Sequence, residues 1–141
     1  MPNEIFDQTL PGILLLSHGP LCTALLESAR MIMGETPNTA ALPLLENADV
    51  TEYGAQAMSL FRQMPEGSII LFDIASGTPF NQMLTQCGGE TFPGLCGMNL
   101  AVLLEALSLR DMMKGSELIR ALQETAHDSI VNLEAFFSEI A

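Results

Sequence analysis

The sequence predicts an α/β fold of three layers: an open, mainly parallel four-stranded sheet with helices on both faces, and a long C-terminal helix. Short apolar runs alternate along the chain with longer segments of helical periodicity, which is the pattern of βαβ units. Two of these runs, 13–16 and 69–72, are apolar throughout, as expected of parallel strands covered on both faces. Composition does not shift along the 141 residues, so we expect one domain, 1–141.

Local signals place each element in turn. A polar leader over 1–11 ends in a Pro-Gly turn, and the strands are expected over 13–16, 40–45, 68–73 and 94–98. Between and after them, helices are expected from 21 to the glycine stop at 34, from 49 or 51 to 64, from 78 onward, over 100–109 and over 116–140. Thr78 is a suitable N-cap with Pro79 at the first helical position, and Ser116 is a suitable cap for the last helix.

Apolar residues at helical spacing predict which face each helix buries. The first helix would bury Leu21, Ala24, Leu25, Ser28 and Ile32, and the second Val50, Tyr53, Ala57, Phe61 and Met64. The last helix has one stripe along its whole length, formed by Ile119, Leu122, Ala126, Ile130, Leu133, Phe137 and Ile140. This stripe predicts either packing on the chain's own sheet or a contact in a dimer.

The charge balance narrows the range of partners. Five Lys and Arg stand against 17 Asp and Glu, so the net charge is −12. Such a surface disfavours nucleic acid and anionic lipid and suits a basic protein partner. Three cysteines without a C-x-x-C pair argue against a disulfide framework and against a metal site, and no cofactor is expected. No apolar run has the length of a membrane span and no signal pattern is present, so we expect a cytoplasmic protein.

Two polar residues follow the two clearest strands. His18 comes after the first strand and Asp73 after the third, and these strands are neighbours in the usual order of this architecture. An imidazole beside a carboxylate is a chemical unit, because the carboxylate accepts a hydrogen bond from one ring nitrogen and leaves the lone pair of the other ring nitrogen exposed.

The residues next to this pair favour the binding of an anion. Gly19 leaves room beside the imidazole, and a small-residue loop over 74–78 leads into a helix N-terminus that carries the Thr78 hydroxyl.

These features together predict a histidine that accepts a phosphoryl group. The second histidine, His127, is expected to be an exposed helix residue. Lys114-Gly115-Ser116 has the wrong order for a nucleotide-binding loop. Ser17 adjoins His18 on a strand, where neighbours point to opposite faces, so a Ser–His dyad is disfavoured.

Three segments resemble the mannose-family enzyme IIA proteins of the bacterial sugar phosphotransferase system. The segment 13–19 and the helix ending at 33–35 are similar to the opening of that family. The segment 72–81, with Asp, small residues and then Thr-Pro-Phe-Asn, resembles its second motif, and 97–105 resembles its third. Together these segments span residues 13 to about 110.

The resemblance implies a phosphotransferase in which His18 takes a phosphoryl group from the carrier protein HPr and passes it to a IIB protein or domain. Asp73 would orient the imidazole, and the phosphate would be held by the loop Ile74, Ser76, Gly77 and Thr78, with Gly19 and Asn81 in support. Ser76 departs from the family, which often has a second glycine before Ser/Thr-Pro. The resemblance also implies a homodimer. It implies that the protein is connected to the membrane only indirectly, through the IIC/IID permease.

Two alternatives remain open at this point. One is the phosphocarrier subunit of a dihydroxyacetone kinase, which the Thr-Pro-Phe-Asn motif disfavours. The other is a regulatory module in which phosphorylation of His18 switches binding. Mannose, fructose, sorbose and related sugars are all possible transported substrates.

Overall fold

The computed structural model describes residues 6–140, which form a four-stranded sheet and six helices. The strands are β1 (Ile13–His18), β2 (Thr39–Leu44), β3 (Ile69–Phe72) and β4 (Gly94–Cys96). The helices are α1 (Leu21–Met33), α2 (Val50–Gln63), α3 (Thr78–Gln86), α4 (Leu100–Leu109), α5 (Gly115–Ser129) and α6 (Leu133–Ile140).

The sheet is parallel throughout, with the strand order β2-β1-β3-β4. β1 and β3 occupy the centre, and their apolar residues are fully or almost fully buried. Burying a Leu, Ile or Phe side chain stabilises a fold by about 1.5–3 kcal/mol, so these two strands contribute much of the stability. The predicted α/β sheet and the pairing of the first and third strands are confirmed.

Helices cover both faces of the sheet. On one face, α1, α4 and α5 enclose a core that includes Ala29, Leu103 and Leu118. On the other face, α2 and α3 enclose a second core that includes Tyr53 and Met83. The sheet is therefore held from both sides, and the carboxyl ends of β1 and β3 meet at one edge of it.

The C-terminal helix is present but is not continuous, and this corrects the range 116–140. α5 ends at Ser129, because Ile130 has extended backbone angles (φ −93°, ψ 107°). α6 then has its own cap, since the side chain of Asn132 accepts hydrogen bonds from the N–H groups of Glu134 and Ala135 at 3.0 and 3.4 Å. The first half of the predicted stripe packs on the chain's own core, with Leu122 buried, whereas no residue of α6 is buried.

The buried face of α1 is shifted by one residue from the predicted one, of which Leu25 and Ser28 are half-buried. Its buried residues are Cys22, Leu26 and Ala29, while Leu21 and Ile32 are 50% and 61% exposed. In α2, the predicted Tyr53, Ala57 and Met64 are buried, Phe61 is half-buried and Val50 is exposed. α3 begins at Thr78 itself with Gly77 at the N-cap, so Thr78 is not the cap.

The leader is only partly described. Phe6 is buried in the core under α2, so this part of the leader belongs to the packed domain. The first five positions of the predicted leader lie outside the described residues.

Candidate functional site

His18 and Asp73 lie side by side at the carboxyl edge of the sheet. His18 is the last residue of β1, and Asp73 directly follows β3. The ring Nδ1 of His18 is 2.7 Å from Asp73 Oδ2, and the backbone N–H of His18 donates to the same oxygen at 2.9 Å. The side chain of Asp73 is 9% exposed and that of His18 is 45% exposed. The carboxylate is therefore enclosed while the imidazole faces outward.

The hydrogen bonds at Asp73 keep its carboxyl ionised. Burial by itself raises the pKa of Asp73, but hydrogen bonds from the His18 amide, the His18 ring and the Ile74 amide bring it below its ordinary value. An ionised carboxylate only accepts hydrogen bonds, so His18 Nδ1 carries the hydrogen of the neutral ring. The lone pair of the neutral imidazole is then on Nε2, the nitrogen remote from Asp73.

The turn after His18 is fixed by hydrogen bonds from both sides. Gly19 has φ +59°, which favours glycine, and its N–H donates to the carbonyl of Leu44 at 2.7 Å. A Cβ at Gly19 would meet no atom within 4 Å outside its chain neighbours His18 and Pro20, so the positive φ is the feature that requires glycine here. The Ser17 hydroxyl, fully buried, donates to the Gly19 carbonyl and accepts from the Cys22 amide.

Gly77 lies against the imidazole itself. A Cβ at this position would be 2.5 Å from His18 Cε1 and 3.2 Å from His18 Nε2. Only glycine therefore allows the imidazole to lie where it does. Gly77 is also the N-cap of α3, and its carbonyl accepts the first bond of the helix from the Asn81 amide at 2.8 Å. The start of α3 is thus placed beside Nε2.

The first turn of α3 carries unpaired donors. Because the first bond within the helix comes from Asn81, the N–H groups of Thr78 and Phe80 have no acceptor inside it, and Pro79 has no N–H. A helix N-terminus of this kind favours negative charge. Thr78 is half-buried.

The loop between β3 and α3 is held in a strained form. Ser76 has φ +63°, a left-handed conformation that is unfavourable for a residue with a side chain. The side chain of Asn81 donates to the Ser76 carbonyl at 3.3 Å, which ties this loop to the helix. The need for a positive φ explains why glycine suits the position of Ser76.

The other predicted residues lie as follows. The amide of Ile74 donates to Asp73 Oδ1 at 2.8 Å, and the Ile74 side chain is 56% exposed. His127 is exposed on α5, as predicted. Within residues 6–140 no group of three or more His, Cys, Asp and Glu side chains is arranged to hold a metal ion. No helix in the same range is long and apolar enough to cross a bilayer.

Comparison with protein families decides the classification of the chain. The model of the family described as PTS system fructose IIA component (EIIA-man) matches residues 12–123. The chain belongs to this family. It is 30% identical over 121 residues to the PTS system fructose-specific EIIA component of Bacillus subtilis, a match that covers 84% of this chain and 83% of the relative.

Other IIA proteins are similar over most of this chain. It is 30% identical over 130 residues to the mannose-specific EIIAB component of Escherichia coli K12, covering 88% of this chain but 40% of that protein. The phosphotransferase system EIIA of Streptococcus agalactiae has the same fold, with a TM-score of 0.82, 22% identity and coverage of 89% and 99% of the two chains. A mannose/sorbose-specific IIA subunit from Enterococcus faecalis has a TM-score of 0.77 and 23% identity, and the match covers 87% and 94% of the two chains.

Sequence reasoning about this IIA-family site missed one supporting residue and one contact. Beyond its position next to His18, Ser17 joins the turn after β1 to the start of α1 through its hydroxyl. No N-cap signal indicates this role, because the N-cap of α1 is Pro20 and Ser17 lies three residues before it. The contact of Gly77 with the imidazole had no signal in the sequence, because it depends on where the ring lies.

Proposed function

We propose that this chain is a IIA phosphocarrier that accepts a phosphoryl group on His18 Nε2 from phospho-HPr and passes it to a IIB component for sugar uptake. The observation that carries the proposal is the 2.7 Å contact between His18 Nδ1 and Asp73 Oδ2. This contact fixes the tautomer and turns the lone pair of Nε2 toward the exposed side of the imidazole.

The chemical step is an in-line transfer between two imidazoles. The lone pair of His18 Nε2 attacks phosphorus, the N–P bond to the donor imidazole breaks, and its electron pair returns to the donor nitrogen. The attack places positive charge on the His18 ring, and the Asp73 carboxylate stabilises it through the Nδ1 hydrogen. In the second transfer His18 is the donor. A group of the IIB component attacks phosphorus, the bond from His18 Nε2 to phosphorus breaks, and its electron pair returns to Nε2.

The N-terminus of α3 is the proposed phosphate cradle. The free N–H groups of Thr78 and Phe80 and the Thr78 hydroxyl lie in the helix turn that starts at Gly77, next to His18 Cε1 and Nε2. They supply hydrogen-bond donors for oxygen atoms that carry negative charge. Ile74, Ser76 and Gly77 shape this loop in the proposal, with the Ile74 amide already engaged by Asp73.

The surface around His18 suits a protein partner. Leu21, Leu45 and Ile74 belong to segments that adjoin the catalytic edge, and each is at least 50% exposed. Apolar side chains on a strongly acidic protein suit a partner that offers both apolar contacts and basic charge, and the family resemblance implies that HPr presents a basic face. A homodimer, cytoplasmic location and a membrane link only through the permease belong to the same proposal.

Phosphorylation can be tested with the two histidines as a matched pair. We would incubate the protein with phosphoenolpyruvate, enzyme I and HPr and determine its intact mass. We expect an acid-labile gain of one phosphoryl group (~80 Da) on the wild type and on His127→Ala, and none on His18→Ala. Equal gain on His18→Ala, or no gain on the wild type, would contradict the proposal.

The onward transfer needs a second test, because the regulatory alternative predicts the same phosphorylation. The phosphorylated protein would be mixed with candidate IIB proteins, and the loss of its phosphoryl group would be followed by mass. Transfer to a IIB protein supports the carrier function. A phosphorylated form that binds a regulator but transfers to no IIB protein would favour the regulatory module.

A further inference from the structure

Arg110 is a buried cation without a carboxylate partner. It follows α4 at the amino edge of the sheet, away from His18, and is 4% exposed. Its Nη1 donates to the carbonyl of Pro11, just before β1, at 3.3 Å and to the hydroxyl of Thr39, at the start of β2, at 3.4 Å. Within residues 6–140 no carboxylate oxygen lies within 4.0 Å of its guanidinium. Buried charges in proteins are normally paired, so this guanidinium needs an explanation.

Most of the hydrogen-bond donors of Arg110 remain available. A guanidinium has five N–H groups, and the two bonds from Nη1 are both long. The described part of the chain offers Nε and Nη2 no acceptor, and neither nitrogen is sealed inside the protein, because Gln82 Oε1 is the one sealed polar side-chain atom there without a partner. These nitrogens therefore reach the cavity that Arg110 lines. Burial lowers the pKa of Arg110, and the charge of Asp111 opposes this only in part.

The cavity beside Arg110 has a volume of about 450 Å³ and opens to solvent. Lys114 lines it as well, and the stem of Lys114 lies against Gly67, where a Cβ would be 2.7 Å from Lys114 Cβ. The whole chain has only five Lys and Arg, so two of its cations meet at this one cavity. Met112 and Met113 add apolar walls. A cavity of this size that combines apolar walls with a few polar groups is the usual form of a small-ligand site.

We propose that this cavity binds a small monocarboxylate with a short apolar substituent. The planar guanidinium presents paired N–H donors that match the two oxygen atoms of a carboxylate, and Lys114 adds a second positive charge. Glu66, Asp111 and Glu117 also line the cavity. None of these three described carboxylates lies within 4.0 Å of a charged nitrogen of Arg110 or Lys114. Their negative charges disfavour phosphate, which carries up to two charges, more than they disfavour a singly charged carboxylate.

A titration with sodium butyrate, followed by the backbone amide signals in NMR, tests the proposal. Sodium chloride at the same ionic strength is the reference, because it separates binding from the screening of charges. We expect saturable shifts with a millimolar Kd for the amides of 8–12 and 110–117, and none for those of 73–78. Sodium acetate lacks two methylene groups and should bind about 3–10-fold more weakly. Inorganic phosphate should also bind more weakly than butyrate.

Three variants assign the binding to the two cations. Arg110→Lys keeps the charge but loses the paired donors, and we expect Kd for butyrate to increase at least about 10-fold. Lys114→Met keeps the stem of an exposed side chain and should fold normally, with Kd increased about 3–10-fold. Arg120→Met is the control, because it removes an exposed cation of α5 that does not line the cavity, and Kd should not change. If Arg110→Lys does not fold, Lys114→Met decides.

The inference can fail independently of the phosphocarrier function. Shifts that do not saturate up to about 100 mM butyrate overturn it, as do tighter binding of phosphate and an unchanged Kd in Lys114→Met. The cavity and His18 lie at opposite ends of β1, whose six residues span about 20 Å. Bound butyrate should therefore leave the mass gain at His18 unchanged, and that gain is measured on its own.

Discussion

Gly77 touches the reactive imidazole so closely that a single methyl group tests the geometry of the site. Its backbone angles (φ −88°, ψ 175°) are open to alanine, so Gly77→Ala should fold normally. The new Cβ would meet His18 Cε1 at 2.5 Å and displace the ring from Asp73 or from the α3 N-terminus. We expect the rate of His18 phosphorylation to fall at least about 100-fold, as for a misplaced reacting group. Phosphorylation at the normal rate in a folded variant would show that the ring has another productive position.

Asp73 can be tested without a change of shape. Asp73→Asn keeps the size of the side chain but removes the negative charge that fixes the Nδ1–H tautomer of His18. We expect phosphorylation to slow about 10–100-fold, which is the usual cost of losing a group that orients a ligating histidine. The measurement is the rate of mass gain with a fixed amount of phospho-HPr. An unchanged rate would mean that Asp73 is structural only.

Ser76 shows strain that a single substitution should relieve. A left-handed backbone costs a residue with a side chain about 1–2 kcal/mol, and Ser76→Gly removes this cost at the entropic expense of about 0.4–1 kcal/mol in the unfolded chain. We expect the free energy of unfolding to stay equal or to rise by up to about 1.5 kcal/mol. Ala75→Gly is the control, because Ala75 is not left-handed and should lose about 0.4–1 kcal/mol. The free energies of unfolding of the two variants are measured by urea denaturation. Equal losses of stability in both would show that the backbone of Ser76 is not strained.

At the scale of the elements, the sequence predicts well which helices and strands exist. It predicts less well where they begin and end and which face of each helix is buried. All four strands and the first four helices lie where local signals put them, to within one or two residues, and α4 matches at both ends. The buried face of α1 was predicted one residue off, because Cys22 and Ala29 are small and give a weak periodic signal beside Leu21 and Ile32. Tertiary contact with β1, β2 and α4 selects the face.

The break between α5 and α6 has a physical cause that the apolar stripe of the sequence does not indicate. The apolar period continues through Ile130, so periodicity alone favours one helix. Asn132 is the competing signal, because its side chain satisfies the first N–H groups of a new helix. Two β-branched residues, Ile130 and Val131, stand just before it and weaken the helix locally.

Asn99 links two elements, and its two roles can be separated. Its side-chain oxygen caps α4 by accepting from the Val102 amide at 2.9 Å, and its amide group donates to Ser129 at the end of α5. Asn99→Asp keeps the cap and loses only the bond to Ser129, whereas Asn99→Ala loses both. We expect losses in the free energy of unfolding of about 0.5–1.5 kcal/mol for Asp and up to about 3 kcal/mol for Ala. A larger loss for Asp than for Ala in chemical denaturation would contradict this division.

At the scale of the whole molecule, topology is what made the site predictable. Once the sheet is parallel and β1 lies beside β3, His18 and Asp73 must come together, so this pair follows from the sequence. The contact of Gly77 with the ring, the buried Ser17 and the strain at Ser76 do not follow, because they depend on side-chain positions and dihedral angles that pattern and composition do not specify.

The response of the whole molecule to acid contains two opposing effects. Protonation of exposed carboxylates reduces the net charge of −12 and its repulsion, which favours the compact state. Asp73 acts in the other direction, because its pKa in the folded protein lies below the ordinary value of 3.8. Its contribution to stability is present above its unfolded pKa and is lost as the pH falls through the folded pKa.

Comparing the wild type with Asp73→Asn separates the two effects, since the other carboxylates are common to both proteins. The difference in their free energies of unfolding should be greatest at neutral pH and stay constant down to about pH 5. It should then shrink as the pH falls below the ordinary pKa of 3.8 and through the folded value. Urea unfolding between pH 7 and pH 3 measures this difference. A gap that stays constant over the range would show that the hydrogen bonds from His18 and Ile74 do not favour the ionised carboxyl, and the argument for the Nδ1–H tautomer would lose its basis.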